Sequence, residues 1–129
     1  MELDPRIQTL KAHLDAFAGA SATPVPVPGN RPTPALMYKV MGKLFAILSV
    51  RGEPFVIIKC DQHLAEILRE QYASVGHRSH LDRRFWIAVT LGGDMADDEV
   101  ACLAAQSYAL VRDGLTRKQK AQLEAMGPA

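Results

Sequence analysis

The chain is poor in the features that announce a chemistry by themselves. It holds two cysteines in 129 residues, Cys60 and Cys102, far apart and in no CxxC pair, which argues against both a disulfide framework and a cysteine-based zinc cage. Both are expected to be reduced, half-buried thiols. No apolar run approaches the ~20 residues of a membrane span, and the opening MELDPRIQTLKAHLDAF alternates charged and apolar groups where a signal peptide requires an unbroken apolar stretch. The expectation is a cytoplasmic protein with no membrane contact. An excess of one charge is also missing: 15 Lys and Arg face 14 Asp and Glu, for a net charge of +1. This is far from the basic balance of a non-specific DNA coat, so a nucleic-acid surface would have to be a local patch. P-loop, GxGxxG, HExxH and GxSxG motifs are all absent from the sequence, and with them the commonest signs of nucleotide binding and hydrolysis.

What the chain does have is core. Its hydrophobic content of 48% and its length suit one domain over residues 1–129. The central stretch, residues 36–60, LMYKVMGKLFAILSVRGEPFVIIKC, consists of short runs rich in Val, Ile and Phe. Breakers at Gly42 and at Arg51-Gly52-Glu53-Pro54 divide it, which predicts strands joined by tight turns. Turns this short require antiparallel pairing, since a parallel connection takes a dozen or more residues.

Helices flank these strands. Asp4 before Pro5 is a helix start, and Ile7, Leu10, Leu14 and Phe17 make one apolar stripe that stops at Gly19. Residues 21–34 carry five prolines, which excludes helix and interior strand; residues 19–35 are read as an extended surface connector, with Val25 and Val27 able to dock as an edge segment. Asp61 caps a second helix with Leu64, Ile67, Leu68 and Tyr72 on one face, and Gly76 ends it or begins the next loop. The run FWIAVTL alternates Phe85, Ile87, Val89 and Leu91 with Trp86, Ala88 and Thr90, the period of a half-buried strand. Asp97, Asp98 and Glu99 open a long helix, where the helix dipole favours them. Val100, Leu103, Ala104, Ser107, Leu110 and Val111 form its inner stripe, and Gly114 is read as its left-handed stop. Thr116 with Gln119 is a capping box for a last helix carrying Leu123 and Met126. The predicted fold is α+β, an antiparallel sheet with helices packed on one face.

Several separated motifs, in order, resemble one family. Tyr38-Lys39-Val40, Gly42-Lys43, Phe45-Ala46, Lys59, the run His80-Leu81-Asp82-Arg83-Arg84-Phe85-Trp86, Ser107-Tyr108, Leu110-Val111 and Leu115 are similar to the MmcQ/YjbR family over about residues 36–115. The resemblance implies a frataxin-like (CyaY-like) α+β fold of the double-wing type and DNA as the partner. The proline-rich residues 21–34 depart from the shorter lead-in of that family.

Four kinds of site compete. The basic residues Lys39, Lys43, Lys59, Arg78, Arg83 and Arg84, with Trp86 and Tyr38 as stacking groups, suit phosphate contacts. Read alone they also suit solubility charges on strands and a Trp86 that fills space; the resemblance makes DNA binding the leading expectation. Asp94, Asp97, Asp98 and Glu99 suggest a frataxin-like metal site, but their place at a helix start explains them without an ion. Cys60 with His63 lacks any sign of thiolate activation, so neither catalysis nor a cofactor is expected. A protein-interaction surface around Met37, Met41 and Leu44, or on the Met126 helix, with an unknown protein partner, is the remaining alternative.

Overall fold

The structure, a computed structural model, describes residues 4–25, 29, 34–50, 52–77 and 81–126. Helix α1, Pro5–Asp15, starts where Asp4 accepts a hydrogen bond from the Arg6 amide. The chain reverses at Gly19, whose φ of 71° is left-handed and whose Cβ, were there one, would overlap the Leu123 side chain. It then forms strand β1, Ala20–Pro24, paired antiparallel with β2, Ala35–Val40. Residues 20–24 of the expected connector are therefore an edge strand, and its last residue, Ala35, begins β2. Pro24 is admissible there because an edge strand leaves every second amide unpaired. Residues 26–28 and 30–33, with Val27, lie outside the described residues.

Strands β2 and β3, Lys43–Ser49, form a hairpin whose two-residue turn, Met41-Gly42, has φ of 50° and 80°. Positive φ at both positions is the hairpin turn that matches strand twist. A register shift between Tyr38 and Lys39 places Tyr38 opposite Ala46 and Lys39 opposite Leu44, leaving Phe45 as the additional residue. Strand β4, Phe55–Lys59, leads through helix α2, Gln62–Gln71, to β5, Val75–Gly76; β6, Trp86–Thr90, follows. The sheet has six strands in the order β1-β2-β3-β4-β6-β5, and every pairing is antiparallel. Because β6 inserts between them, β4 and β5 run in the same direction, and α2 supplies the long crossover that this demands. Helices α3, Asp97–Asp113, and α4, Arg117–Ala125, complete the chain.

The α+β architecture is as the sequence predicts, with the helices on one face. Leu10 and Leu14 of α1, Leu68 of α2, Val100 and Leu103 of α3 and Leu123 of α4 share a buried cluster with Val40, Phe45, Ile58, Ile87 and Val89 of the sheet. Phe17 stacks on Tyr108 at 4.7 Å between ring centres, and Phe45 meets both edge-on at 5.9 and 5.3 Å. Two tyrosine hydroxyls among these rings have partners: Tyr38 donates to Asp15 at 2.8 Å and Tyr108 to the Ala18 carbonyl at 2.6 Å. The opposite face of the sheet carries a smaller buried group, Ile57, Trp86 and Ala88, edged by Leu44, Phe55, Leu81 and Phe85. Strand β6 is consequently buried on both sides rather than half-buried.

Some local readings are corrected. Gly114 ends α3 with φ of −82°, so it is not a left-handed stop. Ala96, with no side-chain cap bond, is the N-cap of α3, so no carboxylate caps that helix. Gly76 belongs to an edge strand that the sequence reading missed. Ile67 and Leu110, assigned to inner stripes, are 47% and 43% exposed.

One contact ties α3 to the sheet. The β3–β4 ladder stops at Ala46 and Ile58, and at the next step the fully buried Ser107 hydroxyl sits between the strands. It donates to the Phe45 carbonyl at 2.6 Å and accepts from the Lys59 amide at 2.8 Å. Removing it strands a buried acceptor and a buried donor, and each unsatisfied group costs about 1–3 kcal/mol. Ser107→Ala is expected to lower stability by about 2–4 kcal/mol in urea unfolding, whereas Gln106→Ala, on the exposed side of the same helix, should change it by under about 0.5 kcal/mol.

Candidate functional site

Alternation along each strand decides which basic residues share a surface. Lys39 of β2 and Lys59 of β4 follow inward-facing Tyr38 and Ile58 and so point to the face away from the helices. Lys39 lies opposite Leu44, and Lys59 lies opposite Trp86. Lys39 and Leu44 on β2 and β3, and Lys59 and Trp86 on β4 and β6, thus lie on one face of four neighbouring strands. Lys43 begins β3 at the same end but opposite inward-facing Val40, on the helix side.

Where Ser107 parts β3 from β4, the opening widens into an open concavity of about 320 Å³. Lys43 and Leu44 line it from β3, Lys59 and Trp86 from β4 and β6, and Leu110 and Val111 from α3. The helical contribution follows from spacing: Leu110 and Val111 lie three and four residues past Ser107, hence on the same helix face one turn further on. Among the described residues, Lys39, Lys43 and Lys59 have no ion-pair partner.

The arginines differ from the lysines. Arg84 grips Asp82 through Nε at 3.1 and 3.2 Å and a terminal nitrogen at 2.7 Å, and its guanidinium lies 5.3 Å from the Phe85 ring centre. The Arg84 side chain and amide hold the Asp82 carboxyl down at about 2. Arg83 is exposed, and its carbonyl accepts from Arg69, which also reaches the Trp86 carbonyl at 3.5 Å. Arg69 was overlooked in the sequence because it sits in the last turn of α2, where a basic residue reads as a helix-end charge. Arg78 and His80 lie outside the described residues.

Neither proposed stacking residue is an open platform. Tyr38 is fully buried on the helix side; its burial and its bond to Asp15 push the phenol above its ordinary range. Trp86 is 9% exposed, presenting only an edge to the concavity, because Ile57, Ala88 and their apolar neighbours pack around it.

Three of the four acidic residues, Asp94, Asp97 and Glu99, are engaged by contacts that point in different directions, and Asp98 is exposed. Asp94 accepts from the Ala73 and Ser74 amides at 2.8 and 3.0 Å, and the Ser74 side chain first, then the Ala73 amide, holds its carboxyl below the usual range. Glu99 accepts from the Tyr72 hydroxyl at 3.0 Å, and Asp97 lies 3.8 Å from Arg6. Among the described residues, no three His, Cys, Asp or Glu side chains converge as metal ligands. No described helix is long and apolar enough to cross a membrane.

Comparison with known proteins places the chain. The YjbR family model matches residues 17–110. The chain belongs to the YjbR family. Over 75 residues it is 36% identical to YjbR, an uncharacterised protein of Escherichia coli K12, in an alignment covering 57% of this chain and 64% of that one. It is 29% identical over 85 residues to the uncharacterised YbdF of Escherichia coli O157:H7, covering 65% and 70% of the two chains. The fold matches the crystal structure of protein DR2400 of Deinococcus radiodurans with a TM-score of 0.76 at 24% identity, over 92% of this chain and 87% of that one. A Pseudomonas syringae protein matches with a TM-score of 0.64 at 16% identity, over 84% and 99%. The YjbR match begins at Phe17, inside the aromatic cluster and ahead of β1, so it includes the proline-rich segment.

The cysteines are unlike one another, contrary to the expectation of two half-buried thiols. Cys60 is 3% exposed, and burial pushes its thiol up to about 11, with the Arg69 charge opposing; Cys102 is exposed on α3. A raised pKa leaves almost no thiolate at neutral pH. Iodoacetamide at pH 8 is expected to add a single label to the folded protein, at Cys102, and two in denaturant. Intact mass and peptide mapping check this, and rapid labelling of folded Cys60 would contradict the burial argument.

Proposed function

We propose that this YjbR-family protein binds DNA through phosphate contacts from Lys39, Lys43, Lys59 and Arg83, without base-specific readout. The observation that carries the reading is the grouping of Lys39, Lys43 and Lys59 at one end of the sheet, Lys39 and Lys59 on the face away from the helices and Lys43 across the concavity from Lys59, without carboxylate partners among the described residues. In a chain of net charge +1, such grouping creates a local positive field that composition conceals. Arg84 contributes less than the sequence suggests, since Asp82 already takes its guanidinium fork. Trp86 supports the surface from beneath rather than stacking openly.

Neutralising about four phosphates releases their counterions, giving a slope near −3.6 for log affinity against log salt on duplex DNA and a loss of about 150-fold between 50 and 200 mM salt. Fluorescence anisotropy over a salt series is expected to show that slope, and its collapse in a Lys39→Gln, Lys43→Gln, Lys59→Gln variant. The same change of charge at Lys11, Lys118 and Lys120, on α1 and α4, should leave most of the affinity. Absence of binding at low salt, or equal loss in both variants, would overturn the reading.

A further inference from the structure

The concavity is not built like a surface for duplex backbone alone. Phosphates ask for cations and amides, yet between Lys43 and Lys59 the walls are Leu44, Leu81, Leu110 and Val111, with the edge of Trp86. Leu110 is 43% exposed at this site, an unusual position for a large apolar side chain on a helix that otherwise buries its stripe. A volume of about 320 Å³ lies at the small end of the ~300–1,000 Å³ range of ligand pockets, enough for one planar ring system. Gly114 extends the wall without adding a side chain, and its ordinary backbone conformation shows that glycine is not required there for the turn. Cationic rim and apolar walls together are what a nucleotide with an unpaired base presents in complement: charge at the phosphates, an apolar face on the base.

We infer that this concavity seats one unstacked base of single-stranded DNA between Leu44, Leu110 and the Trp86 edge, while Lys43 and Lys59 hold the flanking phosphates. The inference rests on the DNA-binding reading and deepens it by choosing the strand state. A base within a duplex is stacked on both faces and offers the concavity nothing; an unpaired base is free to enter.

Two oligomers of equal phosphate number separate base from backbone: oligothymidylate and an abasic strand of the same length. Covering one face of the base with Leu44 and Leu110 removes apolar surface from water and predicts about tenfold tighter binding of oligothymidylate. Trp86 is the sole tryptophan of the chain, so intrinsic fluorescence reports this site alone, and quenching is expected with oligothymidylate and not with the abasic strand. Leu110→Ser, which removes only an exposed side chain, should bring the thymidylate affinity down about fivefold while leaving abasic affinity and its salt slope unchanged. Equal binding of the two strands by the native protein, with no difference in quenching, would overturn the base pocket and leave the phosphate reading standing. Failure of both strands and of duplex to bind at low salt would overturn both.

Discussion

The Ser107 hydroxyl between the Phe45 carbonyl and the Lys59 amide is the contact on which the rest of this structure turns. Two adjacent antiparallel strands ordinarily bond to one another along their whole overlap. Here β3 and β4 do so only as far as Ala46 and Ile58, and one side-chain oxygen, acting as donor to one strand and acceptor from the other, takes over the next step. Helix α3 is thereby locked in register with the sheet, because a shift by one residue would withdraw the hydroxyl and leave two buried backbone groups without partners. The same separation lets Leu110 and Val111 reach the end of the sheet beside Lys43 and Lys59. The concavity is thus a consequence of how the core is closed.

A similar economy governs the aromatic end of the interior. Tyr38 and Tyr108 bring hydroxyls into the packed layer, and each has a fixed acceptor, the Asp15 carboxylate and the Ala18 carbonyl. Both acceptors lie at the end of α1 or just past it. These bonds therefore fix where α1 stops, and with it the reversal at Gly19 into β1. The burial that disfavours charge at Asp15 is outweighed by hydrogen bonds from Lys11 and Tyr38, which keep its carboxyl below the usual range. Substituting Phe for either tyrosine would preserve ring packing but leave the acceptor at the helix end to water, so ring and hydroxyl have separable roles: one fills the core, the other positions the chain leaving α1.

Much of this was legible in residue order. The period-2 alternation of FWIAVTL gives the two faces of β6 from Trp86 to Thr90 but misplaces Phe85, which lies ahead of the strand and packs with Trp86; the Met41-Gly42 turn follows from Gly42 between two apolar runs, and Thr116 with Gln119 forms the capping box that its spacing implies. Other features were hidden for definite reasons. Five prolines obscured β1, because a proline rule written for interior strands says little about an edge, where half of the amides need no partner. Leu110 fits a helical stripe as well as its buried neighbours do, and only the splayed strands beside it reveal that its position faces an opening. The insertion of β6 between β4 and β5 is a long-range pairing, and local periodicity carries no information on it. That Lys39 shares a face with Lys59 depends on the bulge that sets Lys39 opposite Leu44, whereas Lys43, opposite Val40, starts from the helix side at the same end of the sheet.

The basic residues divide by chemistry as well as by position. A guanidinium offers five donors in a fixed plane and serves well as a bracket, whereas an ammonium on a flexible stem is a mobile point charge. In this chain Arg84 brackets the Asp82 carboxylate, and Arg69 brackets the carbonyls of Arg83 and Trp86. Between them the two arginines hold the turn that delivers Trp86 to its place opposite Lys59. Lys39, Lys43 and Lys59 bracket nothing among the described residues and remain as unpaired charge. Arg83 and Arg84 invite a reading as the binding element, yet the Arg84 side chain is spent on Asp82 within its own turn. The field that a polyanion would meet comes instead from lysines on the strands, which the arginine-held turn and the Ser107 bridge keep at the same end of the sheet.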